Sequence, residues 1–157
     1  MRKKIKALID YFGYVVRHKF EVAKLCFHEG LYLQGVLHDW TKFLPDEYIP
    51  FAYKFKWPSE KTPEENNRIK TNFKCARDKH FRRNRHHWKH WVLDEQVRLA
   101  LEMPDEYLIE MICDWKAIGI VKGDSARGFY EKDSHKIILG SRTKSKLETI
   151  LGINKIK

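Results

Sequence analysis

Apolar residues along the chain recur every three or four positions, and no run alternates apolar and polar residues over the length of a strand. That spacing is typical of amphipathic α-helices. Three predicted helices open on proline with acidic residues directly behind it, at Pro45, Pro63 and Pro104. This order suits the free N–H groups of a first helical turn. The pattern predicts an all-α fold, with helices at 3–28, 31–42, 45–56, 63–83, 86–100, 104–120, 126–139 and 143–151.

The length and composition predict one soluble domain over residues 1–157. The chain is 43% hydrophobic, which is enough to form a core, and no run approaches the ~18–20 apolar residues of a membrane span. Asp10 interrupts the short apolar stretch near the N-terminus, which argues against a secretory signal peptide. We therefore expect a cytoplasmic protein without a membrane partner.

The three cysteines indicate a reducing compartment. Cys26, Cys75 and Cys113 are an odd number, lie far apart and form no CxxC motif, so their spacing excludes a zinc knuckle. All three lie among apolar neighbours in the sequence. We expect buried, reduced thiols.

Two predicted apolar stripes each contain a polar residue. His18 lies on the face of the first helix that carries Tyr11, Val15, Val22 and Leu25. Asp114 lies in the corresponding stripe of the sixth helix, with Tyr107, Met111, Ile118 and Val121. A buried carboxylate has to be paired, hydrogen-bonded or bound to a metal, because removing its charge from water is costly.

The dipeptide His38-Asp39 follows an apolar run late in a short predicted helix. Adjacent side chains reach one point only where a helix ends or meets others. A single buried histidine or aspartate is more often an ordinary core or capping residue. Several helices that each bring an imidazole or a carboxylate to the buried side favour a divalent transition metal, namely Mn, Fe, Co or Zn.

Half of the histidines lie between residues 80 and 90. In an unbroken helix, His80, Asn84, His87 and Trp91 would share one face. A break at Asn84-Arg85 would destroy that alignment while keeping the histidines near one another, and His86 and His90 would face elsewhere, on the basic side. The basic residues of this segment suit either a solvated surface or contacts with phosphate; they are Arg82, Arg83, Arg85 and Lys89.

The formal net charge of +10 favours anionic partners such as phosphates, nucleotides or nucleic acid. The same charge also fits plain solubility. Charge alone does not decide between these two interpretations.

Residues 35–43 resemble the signature of the HD-domain metal-dependent phosphohydrolase superfamily, a small-apolar-apolar-His-Asp-x-x-Lys block. In that superfamily an earlier histidine and a later aspartate complete the metal set. The resemblance implies an HD-like helical bundle with a metal-site core at 18–114 and C-terminal helices at 126–151 packed on it. Its metal ligands would be His18, His38, Asp39 and Asp114.

Two features of this chain bear on the implied ligand set. His28 is closer to the His-Asp pair than His18, but it lies near a predicted helix end, so His18 is preferred. The middle histidines lie close together instead of being spread over two helices, which favours one ion over two.

The chain also resembles a group of short, uncharacterised phage and bacterial proteins. They share a His-Asp-x-Ser/Thr-Lys-Phe block, a His-His-Trp element and an Asp-Trp pair, which here are residues 38–43, 86–88 and 114–115. This second resemblance implies no activity. A phage-encoded chain would reside in the cytoplasm of the bacterial host.

The HD resemblance implies a metal-dependent phosphohydrolase whose substrate is a nucleotide or another small phosphate ester. Asp39 would share a proton with a metal-bound water, and Lys42 would neutralise the substrate phosphate. His80 or His87 would complete the metal shell or act as an acid toward the leaving oxygen. Phosphate contacts would come from Arg82, Arg83 and Arg85.

Two other functions stay open at this point. HD-fold iron-dependent oxygenases use the same types of ligand. Alternatively, a helical protein without catalysis could bind nucleic acid, stacking bases on Tyr53, Phe55 and Trp57 beside the basic residues.

Overall fold

The protein forms the helices that its helix-start signals predict. The computed structural model describes residues 2–57 and 61–153, without the side chains of residues 121 and 122. The described chain is all-α apart from one short hairpin, as predicted. The elements are α1 (Arg2–His28), α2 (Tyr32–Leu37), a 3-10 helix (Trp40–Phe43), α3 (Pro45–Lys56), α4 (Pro63–Arg83), a second 3-10 helix (Trp88–Trp91), β1 (Val92–Asp94), β2 (Leu99–Ala100), α5 (Asp105–Lys122), α6 (Ala126–Asp133) and α7 (Ser141–Ile150).

The predicted helix at 31–42 is divided at the His38-Asp39 pair. Asp39 has φ 54° and ψ 21°, in the left-handed region, so α2 cannot continue through it. Aspartate tolerates this conformation better than most residues because its short side chain forms local hydrogen bonds. Because of this break, the side chains of His38 and Asp39 leave the backbone in directions that a continuous helix would not give them.

The predicted helix at 86–100 is wrong, because this segment contains a 3-10 helix and an antiparallel hairpin of β1 and β2. Asn84 caps the end of α4. The Asp94 carboxylate accepts hydrogen bonds from the N–H groups of Gln96 and Val97, and Arg98 has φ 54°. These turn contacts compete successfully with a continued helix. The prediction for α6 is also too long, since the helix ends at Asp133.

The chain divides into two compact units. Unit 1 comprises the residues up to Phe20 together with Asp39–Asn84. It contains the first part of α1, the first 3-10 helix, α3 and α4. Its core consists of Tyr11, Val15, Phe51, Ala52 and Ala76.

Unit 2 comprises Glu21–His38 and the residues from Arg85 onward. Its main core lies between α5, α6, α7 and their connections, and includes Met103, Leu108, Met111, Ile112, Trp115, Ala126, Tyr130, Ile137 and Leu147. A smaller cluster joins Val22 and Cys26 to Cys113 and Ala117.

The cysteines are free thiols, and two of them are buried as expected. Cys75 is exposed, so the prediction for this residue is wrong. Its neighbour Ala76 faces the core of unit 1, and successive residues on a helix differ in direction by about 100°. The apolar neighbours of Cys75 in the sequence therefore do not cover it.

A carboxylate far away in the sequence holds the start of α7. Glu102 accepts hydrogen bonds from the N–H groups of Arg142 and Thr143, at 3.1 and 2.7 Å, and from the Thr143 hydroxyl at 2.6 Å. The Thr143 oxygen in turn accepts from the N–H of Met103 at 2.9 Å. The hydrogen bonds from Thr143 lower the pKa of Glu102.

None of the helices within the described residues is both long enough and apolar enough to cross a bilayer.

Candidate metal centre

The carboxylate of Asp39 lies between two histidines in unit 1. One oxygen, Oδ2, is 3.7 Å from Nε2 of His18, and the other, Oδ1, is 3.2 Å from Nε2 of His80. The three side chains come from α1, the turn before the first 3-10 helix, and α4, and all are buried. Three separate segments of unit 1 thus bring imidazole and carboxylate groups together away from water.

A buried carboxylate, Glu47, fixes the orientation of His80. Nδ1 of His80 lies 2.8 Å from Oε2 of Glu47, which also accepts from the Thr41 hydroxyl at 2.8 Å. The Asn84 side chain donates to the Thr41 oxygen and to the His80 carbonyl, both at 2.8 Å. Such acceptors set which ring nitrogen carries a proton and where the other nitrogen points.

Electrostatics in unit 1 favour ionised partners. Burial alone would raise the pKa of Glu47, but the hydrogen bonds from His80 and Thr41 outweigh it and lower the pKa. Burial likewise opposes the charged form of His80, yet the charge of Asp39 and the hydrogen bonds to Asp39 and Glu47 raise its pKa. The cluster therefore stabilises charge inside the unit instead of excluding it.

Lys42 contacts the carboxylate that the sequence assigns to the metal. Its Nζ lies 2.5 Å from Oδ2 of Asp39 and 5.9 Å from the centre of the Phe51 ring. The Lys42 side chain is only 15% exposed. A positive charge is thus placed directly beside Asp39.

In unit 2, one carboxylate oxygen of Glu110 serves two histidines. Oε1 of Glu110 lies 2.9 Å from Nδ1 of His38 and 3.1 Å from Nδ1 of His86. Oδ1 of Asp114 lies 3.8 Å from Nε2 of His38. All four side chains are buried.

This second cluster has the composition of a metal site. Candidate ligand atoms of His38, His86 and Glu110 lie within 4.8 Å of one another. With Glu110 as the acceptor behind both rings, the two imidazoles are the groups left to bind an ion. Burial would raise the pKa of Glu110, but the hydrogen bonds from His38 and His86 outweigh it and lower the pKa. An ionised Glu110 favours Nδ1–H on both rings and leaves Nε2 as the ligand atom, the usual arrangement of metal-binding histidines. The donors present therefore fit a divalent transition metal.

The other predicted site residues divide between the units. Arg82 and Arg83 end α4 in unit 1, where Arg83 binds Asp46 and Glu47. Arg85 belongs to unit 2 and donates to the hydroxyl of Tyr107.

The shared face proposed for residues 80–91 does not form, because α4 ends at Arg83. His80 and Asn84 stay together in unit 1. His87 is half-buried in unit 2, with its ring centre 4.1 Å from that of His86. His86 is buried against Glu110, whereas the sequence placed it on the basic side.

Sequence reasoning missed the two carboxylates that orient the histidines. Glu110 precedes Asp114 by one helical turn, a spacing that puts both on one face of α5 and could have identified it. Glu47 lies in the acidic first turn of α3, where an acid is normally explained by the helix start alone. Nothing local distinguishes it from its exposed neighbour Asp46.

A family model matches residues 8–153, and its description is a family of unknown function, DUF5662. The chain belongs to this family. The matched range of the DUF5662 chain includes every candidate ligand from His18 to Asp114. Searches among curated proteins and among solved structures found no match.

Proposed function

We propose that the DUF5662 chain is a metal-dependent phosphohydrolase that acts on a nucleotide or another small phosphate ester. The observation that carries the proposal is Glu110, whose single oxygen accepts from Nδ1 of both His38 and His86. An acceptor of this kind orients metal-binding imidazoles. The HD-like block at residues 35–43 and the net charge of +10 support phosphate chemistry in particular.

Each unit contains part of the proposed ligand set. In unit 1 they are His18 and Asp39, whose side chains lie 3.7 Å apart, with His80 also beside Asp39. In unit 2 they are His38 and Asp114, with His86 sharing the acceptor of His38. When bound, a divalent transition metal supplies a water of lowered pKa and positive charge for phosphoryl oxygens.

Ionisable side chains of each unit perform the remaining tasks. Asp39 accepts a proton from the attacking water, and the ammonium of Lys42 beside it neutralises the substrate phosphate as a point charge. His80 is the proposed acid toward the leaving oxygen, because Glu47 fixes its ring and the neighbouring carboxylates favour its protonated form. His87 is the alternative acid, in unit 2. Arg82 and Arg85 are assigned to the substrate phosphate. Arg83 is assigned to the same phosphate, and it would reach it from a position where it also contacts Asp46 and Glu47.

The test combines elemental analysis with a substrate screen. Purified protein is expected to contain a stoichiometric transition metal and to release phosphate, or cleave a phosphodiester, from a nucleoside mono-, di- or triphosphate or a cyclic nucleotide. The screen is run with Mn, Co, Fe and Mg. Metal-loaded protein that turns over none of these substrates contradicts the phosphohydrolase, and oxygen consumption by an iron-loaded sample would favour an oxygenase instead.

Lys42→Ala separates binding of phosphate from binding of metal. We expect kcat/KM to fall about tenfold or more, because a charge stabilising phosphate is lost, while the metal content stays unchanged. Lys70→Ala is the matched control, since Lys70 is an exposed lysine of the same unit. Loss of metal from Lys42→Ala would contradict the proposed role of Lys42.

A further inference from the structure

Unit 1 contains a cleft of about 300 Å³ between α1, α3 and α4. Its walls include Pro50 and Tyr53 of α3 and Trp57 directly after that helix, and its polar groups include Lys4, Arg68 and Asn72. The volume lies at the lower end of the range for sites that bind small molecules. None of the proposed metal ligands lines it.

The cleft lies at the opposite end of the same three helices from Asp39. Asn72 precedes His80 on α4 by eight residues, which is about 12 Å along a helix. Tyr53 follows Glu47 on α3 by six residues, or about 9 Å. Lys4 precedes His18 on α1 by fourteen residues, or about 21 Å. A ligand in the cleft is therefore separate from the Asp39 cluster.

The apolar part of the cleft is aromatic. Tyr53 and Trp57 are one helical turn apart, and their ring centres lie 4.8 Å from each other at an interplanar angle of 70°. In an edge-to-face pair, each ring keeps at least one face that the partner ring does not cover. Nucleobases stack on such faces with little dependence on which base is bound, because every base has a π-face.

The polar part of the cleft is positively charged. Neither Lys4 nor Arg68 forms an ion pair with any residue that the structure describes. The acid at this cleft, Glu65, is engaged in the capping box of α4, where its side chain accepts from the N–H of Thr62. Asn72 adds an amide that can both donate and accept hydrogen bonds.

We propose that this cleft binds a planar heteroaromatic ring that carries an anionic group, of the class of nucleoside monophosphates. Tyr53 and Trp57 hold the ring, Arg68 and Lys4 hold the anion, and Asn72 contacts the edge of the base. The site requires no metal, so it goes beyond the proposed phosphohydrolase and stands independently of it.

The experiment titrates the full-length chain with AMP, GMP, CMP and UMP by calorimetry, in the presence of a chelator. Adenosine tests the ring without the charge, inorganic phosphate tests the charge without the ring, and indole-3-carboxylate tests an aromatic anion that is not a nucleotide. We expect one site per chain for at least one nucleotide, and at least tenfold weaker binding of adenosine and of phosphate. Tighter binding of indole-3-carboxylate than of every nucleotide would overturn the assignment to nucleotides.

Two variants locate the site. Arg68→Gln and Trp57→Leu should each weaken nucleotide binding about tenfold, whereas Arg17→Gln, the same change at an exposed arginine of unit 1 outside the cleft, should not. Because Arg68 is exposed, its substitution leaves the core of unit 1 intact. The proposal is overturned if no nucleotide binds at millimolar concentration, or if both cleft variants bind as the unchanged chain does. Asp39→Asn should bind the nucleotide normally, which separates this result from the fate of the phosphohydrolase.

Discussion

Nδ1 of His80 lies 2.8 Å from Glu47, although 33 residues separate the two in the sequence. The same carboxylate accepts from the Thr41 hydroxyl and from Arg83. A fully buried acid thus has three donors, two from the last turn of α4 and one from the first 3-10 helix. The contribution of Glu47 can be tested on the stability of metal-free protein.

Glu47→Gln should lower the free energy of unfolding of metal-free protein by about 3 kcal/mol, because removing one partner leaves buried charges uncompensated. Urea denaturation in the presence of a chelator measures the change. Asp46→Asn is the matched control, since Asp46 is the neighbouring acid and binds the same Arg83 at the surface. Equal effects of the two substitutions would contradict a special role for Glu47.

Glu110→Gln should weaken metal binding by about 10- to 100-fold, as is usual for an acceptor behind metal-binding histidines. Glutamine keeps an oxygen that accepts from His38 and His86, but it loses the negative charge that makes the two rings better metal ligands. Competition with a fluorescent chelator measures the affinity. Glu106→Gln, one turn earlier on α5, should bind metal like the unchanged chain. An unchanged affinity in Glu110→Gln would contradict the role of Glu110 on which the proposed function rests.

Asp39→Asn should abolish metal binding and leave the chain folded. Asparagine, like aspartate, adopts the left-handed backbone that position 39 requires. Asp39→Ala should lose the metal as well, and should also lose about 1–2 kcal/mol of stability because alanine is strained there. Elemental analysis and thermal melting measure the two effects, and full metal content in either variant would refute the ligand role of Asp39.

Thr143→Val should destabilise the chain by about 1–3 kcal/mol, because it removes a hydrogen bond to Glu102 and leaves the N–H of Met103 without its acceptor. The pKa of Glu102 is lowered in the folded chain, so its contribution is complete above the ordinary glutamate pKa of about 4.3. That contribution is lost as the pH falls through the lowered pKa of the folded chain. The difference in the free energy of unfolding between Thr143→Val and the unchanged chain should therefore become smaller in acid. Denaturation between pH 7 and pH 3 measures this difference. A constant difference would mean that Glu102 contributes nothing to stability through its charge.

Most of the helical structure follows from short-range chemistry. Pro45 and Pro63, each followed by acids, begin α3 and α4, and both helices have the bounds that the sequence predicts. These signals act within one helical turn, so the sequence alone contains them. The hairpin at β1 and β2 was missed because strands of three and two residues are too short for an alternating pattern to appear.

The candidate site could be predicted only in part. His18 and Asp114 stand out because each interrupts an apolar stripe. The acceptors do not, because Glu47 and Glu110 reach their histidines across 33 and 72 residues. Acidic residues on helices usually lie in solvent, so the burial of Glu47 depends on long-range packing that no local pattern expresses. For Glu110, the one-turn spacing to Asp114 is the only local signal.

The discontinuous make-up of the two units sets an order of events during synthesis. Every residue of unit 1 has been made once Asn84 is added, whereas Glu21–His38 belongs to the unit that also contains Arg85 and the residues after it. Glu110, the acceptor of His38, follows Asn84 by 26 residues, and at about 5–20 residues per second this separation takes about 1–5 s. On the ribosome, the hydrogen bonds around Glu47 can therefore form seconds before His38 meets its own acceptor.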